Sequence, residues 1–198
     1  MKVIGLTGGI ASGKTLVSDW FRKVHIKVID ADSVYKNLLK VDNNLYNEVT
    51  DTFNLDKNKN NQLDFKSLAR IVFNDRDKLK LLSKITHPYV INKIEEMIFE
   101  YNKKGEDIIV LTVPLLFEAK MEYLCNKIIC VWLDRETQIE RLIKRSNLER
   151  EVAIKRIESQ MNLDEKKAKS DYVIDNSLSR DNSYIQFRQI LAKIKALD

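Results

Sequence analysis

An α/β fold with a five-stranded parallel sheet is the architecture this sequence predicts, and three observations predict it. Residues 3–15, VIGLTGGIASGKT, place a short apolar run directly before a glycine-rich turn and an amphipathic stretch. A second apolar run, Ile26–Ile29, follows that stretch. Strand, helix and strand within about thirty residues make a βαβ unit, which implies a parallel pair joined by a right-handed crossover. Further apolar, β-branched runs recur at Ile108–Val113, Lys127–Leu133 and Tyr172–Ile174, each separated from the next by a stretch of helical or polar pattern.

The first element carries the most information. Val3–Leu6 reads as a buried strand, and after it Gly8, four spacers, Gly13, Lys14 and Thr15 complete the G-x-x-x-x-G-K-[ST] pattern of a phosphate-binding loop. Glycines let the backbone curl so that successive N–H groups share one concavity. The helix that follows adds its free N–H groups and positive dipole end. In this pattern Lys14 reaches the β- and γ-phosphates and Thr15 offers its hydroxyl to Mg²⁺. Four of the five glycines (Gly5, Gly8, Gly9 and Gly13) lie in the first thirteen residues, where the motif needs them. Leu16, Val17, Trp20, Phe21 and Val24 give the following helix one apolar face. Together these features predict a P-loop NTP hydrolase-type fold.

The second strand ends in Asp30-Ala31-Asp32. Ligands on parallel sheets gather at the carboxyl ends of strands, which predicts that these carboxylates share an edge with the loop. Either could instead cap the next helix, and for Asp30 capping is the stronger reading. Residues 33–104 are helical in pattern. Asn43–Phe53 and Asp64–Phe73 are amphipathic, Asp75 can cap a helix running to about Lys84, and Pro88 suits the first position of another helix reaching Tyr101. Within this block 56–67 imitates a calcium loop, but Asn61 replaces the glycine at the sixth place and Ser67 the glutamate at the twelfth, so a plain polar turn is expected. Val113–Glu118 leaves the third strand on the ligand edge. From Arg135 to about Lys169 the chain is helical and highly charged, and a last amphipathic helix covers Ile185–Ile194.

Composition narrows the class. The 198 residues are 44% hydrophobic and 32% charged, with a formal net charge of +5, as in an ordinary globular domain. The charge is mild and no basic run is interleaved with aromatics, so nucleic acid is not expected as a partner. Cys125 and Cys130 lack further Cys or nearby His and read as reduced core thiols. The longest apolar stretch, Ile108–Phe117, is too short to span a bilayer, and the N-terminus has no signal-peptide core. A cytoplasmic protein, a monomer or weak homo-oligomer without a membrane partner, is expected.

A phosphate loop alone leaves open a small-molecule kinase, a nucleotide-sensing module or another ATPase. The Asp-x-x-Gly and Asn-Lys-x-Asp signatures of GTPases are absent. Gln138, Arg141 and Arg145 recur at helical spacing, and Arg156 and Gln160 repeat it. Pairing with Glu136, Glu140 and Glu149 on a solvated face would explain them. Beside a phosphate loop, a basic helical lid over the triphosphate explains them as well.

Several motifs together carry a resemblance nearly end to end: LTGGIASGKT (6–15), VIDAD (28–32), the 68–73 helix ending IVF, HP (87–88), VPLLFE (113–118), ETQIERLIKR (136–145), RIESQ (156–160) and SDYVIDN (170–176). The chain resembles the dephospho-CoA kinases, which use ATP and Mg²⁺ to phosphorylate the ribose 3′-hydroxyl of dephospho-CoA in the last step of coenzyme A biosynthesis. The resemblance implies one kinase domain over 1–198, with a core of about 1–35, 105–134 and 168–198, a helical acceptor-binding insertion of about 36–104 and a lid of about 135–167. It makes Asp32 the general base, with Lys14 and Arg141 as catalytic cations. The ATP site becomes Gly8, Gly9, Ile10, Ala11, Ser12, Gly13, Lys14, Thr15, Leu16, Arg145 and Asn176, the last near the adenine. Acceptor contacts fall on Asp32, His87, Pro88, Leu115, Phe117 and Glu118, and Thr15 is the one metal ligand. Two positions depart from the family pattern: Phe65 stands where an Arg is usual, and Thr86 where a Leu is usual.

Overall fold

A computed structural model describes residues 1–55, 65–73 and 75–197. The chain divides into two compact units, one of residues 1–29 and 101–198 and one of residues 30–100. The first holds the sheet. Its strands are β1 (Lys2–Gly8), β2 (Lys27–Asp30, whose last residue opens the second unit), β3 (Ile108–Thr112), β4 (Lys127–Trp132) and β5 (Tyr172–Asp175), in the order β2-β3-β1-β4-β5. β1 lies in the middle. It runs parallel to β3, with Leu6 opposite Thr112, and to β4, with Gly8 opposite Val131. All of β1 but its first residue is buried, which is why it reads as an apolar run without alternation.

Two helices cover one sheet face, α1 (Lys14–Lys23) and α9 (Arg180–Lys195). Val17, Trp20 and Phe21 of α1 meet Phe187, Ile190, Leu191 and Ile194 of α9 over Ile4, Leu6, Val110, Ile129, Val131 and Ile174. Phe21 and Phe187 stand edge to face at 4.9 Å and 87°, a favoured aromatic geometry. The last helix is longer than its apolar spacing suggests, because Ser179 caps it at Asn182 and adds a polar first turn. Three helices follow β4: α6 (Arg135–Ser146), α7 (Arg150–Glu158) and α8 (Leu163–Ala168). Ile139 and Leu142 of α6 pack on Ala153 of α7, while Leu163 packs on Cys130 and Leu133 beside β4. Both cysteines are free; Cys130 lies in the core as expected, whereas Cys125 is half-buried, and burial pushes each thiol pKa up to about 12.

The second unit is helical, with α2 (Ala31–Val41), α3 (Asn43–Thr52), α4 (Phe65–Phe73) and α5 (Arg76–Lys103, whose last three residues belong to the first unit). The expected break at Pro88 does not occur: Pro88 lies inside α5 rather than starting a helix. A proline there removes one helical hydrogen bond and crowds the preceding turn. Leu82, Thr86, Val90 and Ile94 recur every fourth residue and are all buried, and this continuous stripe outweighs the local penalty. Asp75 caps α5 as expected, accepting from the N–H groups of Asp77 and Lys78. The calcium-loop imitation at 56–67 falls mostly outside the described residues. Among the described residues, no helix is long and apolar enough to cross a membrane.

Candidate active site

The site grows from the turn between β1 and α1. Gly13 adopts φ 95° as the N-cap of α1, which starts without a side-chain cap. Its leading N–H groups are therefore not consumed by a capping side chain. Ala11 also has positive φ, 60°, at a cost of about 1 kcal/mol for a non-glycine residue. Left-handed residues at alternate positions turn backbone N–H groups into a common concavity. Ser12, between them, is 1% exposed, and its hydroxyl meets no hydrogen-bond partner among the described residues. An uncapped helix start, a left-handed turn and an orphaned buried hydroxyl suit a bound phosphate chain.

Side chains from distant parts of the same unit hold this loop. Asn176, just beyond β5 and buried, donates from its amide to Ser12 O at 2.8 Å and accepts from the Ser183 hydroxyl at 2.8 Å. Its amide also occupies the space a Cβ on Gly13 would need, so glycine is required there for room as well as for φ. Gln138 of α6 donates to Ile10 O at 2.8 Å, and Gln160, after α7, accepts from the Ile10 N–H at 3.0 Å. Behind the loop, Ser18 and Thr112 share a buried hydroxyl contact of 3.1 Å.

The family model for dephospho-CoA kinase matches residues 2–182. The chain belongs to the dephospho-CoA kinase family. A dephospho-CoA kinase from Carboxydothermus hydrogenoformans is 43% identical over 201 residues, covering 100% of this chain and 97% of that protein. Among solved structures, a dephospho-CoA kinase from Campylobacter jejuni is 27% identical with a TM-score of 0.74, covering 97% of this chain and 96% of that one. The protein TT1252 from Thermus thermophilus is 29% identical with a TM-score of 0.80, covering 98% and 97%.

The residues that the family resemblance points to occupy distinct settings. Lys14 and Thr15 start α1, with Thr15 exposed, and Leu16 lies in the same turn, partly buried. Arg141 and Arg145 sit on α6 and have no ion-pair partner among the described residues. Of the three glutamates that a solvated face would offer them, Glu136, Glu140 and Glu149, the first is held by both terminal guanidinium nitrogens of Arg150, at 2.6 and 2.7 Å, and this pairing keeps its carboxyl below the usual range. Gln138, grouped by spacing with the two arginines, is 3% exposed and turned to the loop.

The segment after β3 is anchored by a charge that sequence reasoning missed. Lys166 of α8 is fully buried, pairs with Glu118 at 2.8 Å and donates to Pro114 O at 2.7 Å. Glu118 also accepts from the Met161 N–H at 3.0 Å. Phe117 is 9% exposed, whereas Leu115 is 40% exposed. In a lysine-rich stretch, nothing in composition distinguishes the buried lysine from its solvated neighbours.

In the helical unit, Asp30 caps α2 by accepting from Ser33 N–H at 2.8 Å. The capping role therefore falls to Asp30, while Asp32 is exposed in the first turn of α2. His87 is half-buried on α5, and burial holds its imidazole below the ordinary value; Pro88 beside it is exposed. Thr86, next to His87, is buried. The Phe65 side chain lies outside the described part of the structure. Among the described residues, no three His, Cys, Asp or Glu side chains gather into a metal-binding group.

Proposed function

We propose that this chain transfers the γ-phosphoryl group of ATP to the ribose 3′-hydroxyl of dephospho-CoA, giving ADP and coenzyme A. The observation that carries the reading is the uncapped, left-handed start of α1 with its orphaned Ser12 hydroxyl, in a chain whose family is dephospho-CoA kinase. The β1–α1 loop, Gly8 to Leu16, receives the β- and γ-phosphates through backbone N–H groups, and Lys14 adds a positive charge. Arg141 and Arg145, which have no ion-pair partner on α6 among the described residues, supply lid cations for charge that develops on the transferred group. Asn176 orders the loop on the adenine side of the site.

Asp32 orients the acceptor hydroxyl and takes its proton as the oxygen bonds to the γ-phosphorus and the bond to the ADP oxygen breaks. A carboxylate suffices, because phosphoryl transfer has a loose transition state that depends on positioning more than on a strong base. His87, Pro88 and Leu115 serve as acceptor contacts, with Phe117 and Glu118 shaping the segment behind Leu115. Thr15, at the start of α1, would hold Mg²⁺ through its hydroxyl, and the ion would supply positive charge to offset that of the phosphates. The enzyme is cytoplasmic, a monomer or weak homo-oligomer, and uses neither nucleic acid nor a membrane as partner.

ADP release is measured with Mg-ATP against dephospho-CoA, adenosine, AMP, pantothenate and no acceptor, and repeated with Asp32→Asn. Turnover confined to dephospho-CoA and largely lost in the variant is expected. Turnover with a different acceptor would replace the substrate, and ATP binding without transfer to any acceptor would replace the enzyme with a sensing module.

A further inference from the structure

The phosphate-loop motif explains Gly8, Gly13, Lys14 and Thr15 but says nothing of Ile10, whose two peptide groups are taken by side chains from far along the chain. We propose that Gln138 and Gln160 are positioning residues that form a directional clamp on Ile10. The clamp sets the orientation of the phosphate loop and ties it to the helix that carries Arg141 and Arg145. The inference rests on the reading of this loop as the ATP site and adds to it two residues that the loop motif does not contain.

The chemistry of the clamp is unambiguous. A backbone N–H can only donate and a backbone carbonyl only accept. The bond from Gln138 Nε2 to Ile10 O, 2.8 Å, therefore fixes which end of that amide faces the loop. The bond from Ile10 N to Gln160 Oε1, 3.0 Å, fixes the other. Gln138 must donate and Gln160 must accept. Gln138 is 3% exposed, so water does not readily replace it. It begins the same helix face that continues to Arg141 and Arg145, while Gln160 follows the last turn of α7. The loop and both helical segments thus meet at one residue, and a movement of α6 away from the loop must carry Ile10 with it or break the Gln138 bond.

Gly9 fits this arrangement. Its φ is not in the left-handed region, so its backbone does not demand glycine. A Cβ there would lie 2.5 Å from Gln138 Nε2, with Leu163 next at 3.5 Å. Glycine at position 9 makes room for the clamp.

The polarity of the two bonds gives a test that packing alone would not mimic. In the full-length enzyme, Gln138→Glu and Gln160→Glu have the same shape and added charge, but a carboxylate can only accept. Gln138→Glu loses its donor and sets an anion against Ile10 O; Gln160→Glu keeps its acceptor. Gln138→Glu is expected to lower kcat/KM for ATP by about tenfold to a hundredfold. The loss in Gln160→Glu is at least several-fold smaller, and Gln160→Met loses more than Gln160→Glu. KM for dephospho-CoA moves less than KM for ATP in each case. Burial beside a carbonyl raises the pKa of the introduced glutamate, and once protonated it donates again. The ratio of Gln138→Glu to wild-type activity therefore rises as pH is lowered from about 8.5 to about 6. Equal losses in the two glutamate variants, together with a flat ratio across pH, would overturn the clamp.

Should Gln138→Glu fail to fold by thermal melting, a cycle with Gly9→Ala decides instead. Gly9→Ala is costly in the wild type and less costly in Gln138→Ala, because the colliding amide is gone; additive costs would overturn the proposal. Lys14→Met is the control for the underlying reading. If it left ATP turnover unchanged, the loop would not be the ATP site, an outcome distinct from symmetrical glutamine variants.

Discussion

In the sheet unit, the side chains that fix the phosphate loop lie 128, 150 and 164 residues from the backbone groups they hold: Gln138 on Ile10 O, Gln160 on Ile10 N and Asn176 on Ser12 O. In the helical unit the capping side chains act two or three residues away, Asp30 on Ser33, Asp42 on Asn44 and Leu45, and Asp75 on Asp77 and Lys78. The bond from the Tyr89 hydroxyl to Glu48, 41 residues apart, is a surface exception. Short-range bonds define where helices begin and can be lost one at a time at modest cost. Long-range bonds to one loop define a shape, and removing one leaves a buried or half-buried backbone group unpaired. Substitutions at the proposed nucleotide site are therefore expected to change function most, and substitutions at the helix caps of the helical unit to change mainly stability.

Lys14→Met tests the functional end of that contrast. Loss of a positioned cation from a phosphoryl-transfer site lowers kcat by about 10²–10³-fold, measured as ADP release at saturating dephospho-CoA, with little change in melting temperature. Asn176→Ala comes next. It removes the bond to Ser12 O and the acceptor for Ser183, and weakens ATP binding by about tenfold or more, checked by titration with a fluorescent ATP analogue. A melting temperature lowered in Asn176→Ala while ATP affinity stayed at the wild-type value would blur the contrast between the two regions.

Asp42→Ala probes the helical unit. It removes the acceptor at the start of α3 and costs about 1 kcal/mol, read from denaturant unfolding, while KM for ATP is unchanged. The smallest effect concerns pH. Burial lowers the His87 pKa in the folded chain, so the unfolded chain binds the extra proton more readily. The neutral imidazole's share of stability is present above about pH 6.5 and is lost as pH falls below it toward the folded value. His87→Gln should flatten the acid side of the melting-temperature profile; a profile unchanged by the substitution would remove His87 from that account.

The same contrast explains what could be read in the sequence. β1, the glycine turn and α1 are contiguous, so their chemistry is visible as a motif, and the capping roles of Asp30 and Asp75 follow from neighbours within one turn. Pro88 misled because a local rule was opposed by burial at Leu82, Thr86, Val90 and Ile94, a tertiary effect. Gln138 was visible as part of a helical spacing but not as a loop anchor, since the spacing that places it beside Arg141 conceals that it is turned inward. Lys166 had no local signal at all, because its burial depends on Glu118 and Pro114 from another segment. Composition identifies a surface lysine by default, and only packing shows the exception.

The most direct measurement of the central claim is single-turnover transfer from ATP to dephospho-CoA, with the phosphorylated position identified by phosphorus NMR, in wild type and in Asp32→Asn at matched occupancy of both substrates. The account predicts coenzyme A carrying a new 3′-phosphate from the wild type, and transfer slowed by about 10²–10⁴-fold in the variant with binding retained. Phosphate at another position, or transfer by Asp32→Asn at the wild-type rate, would contradict it.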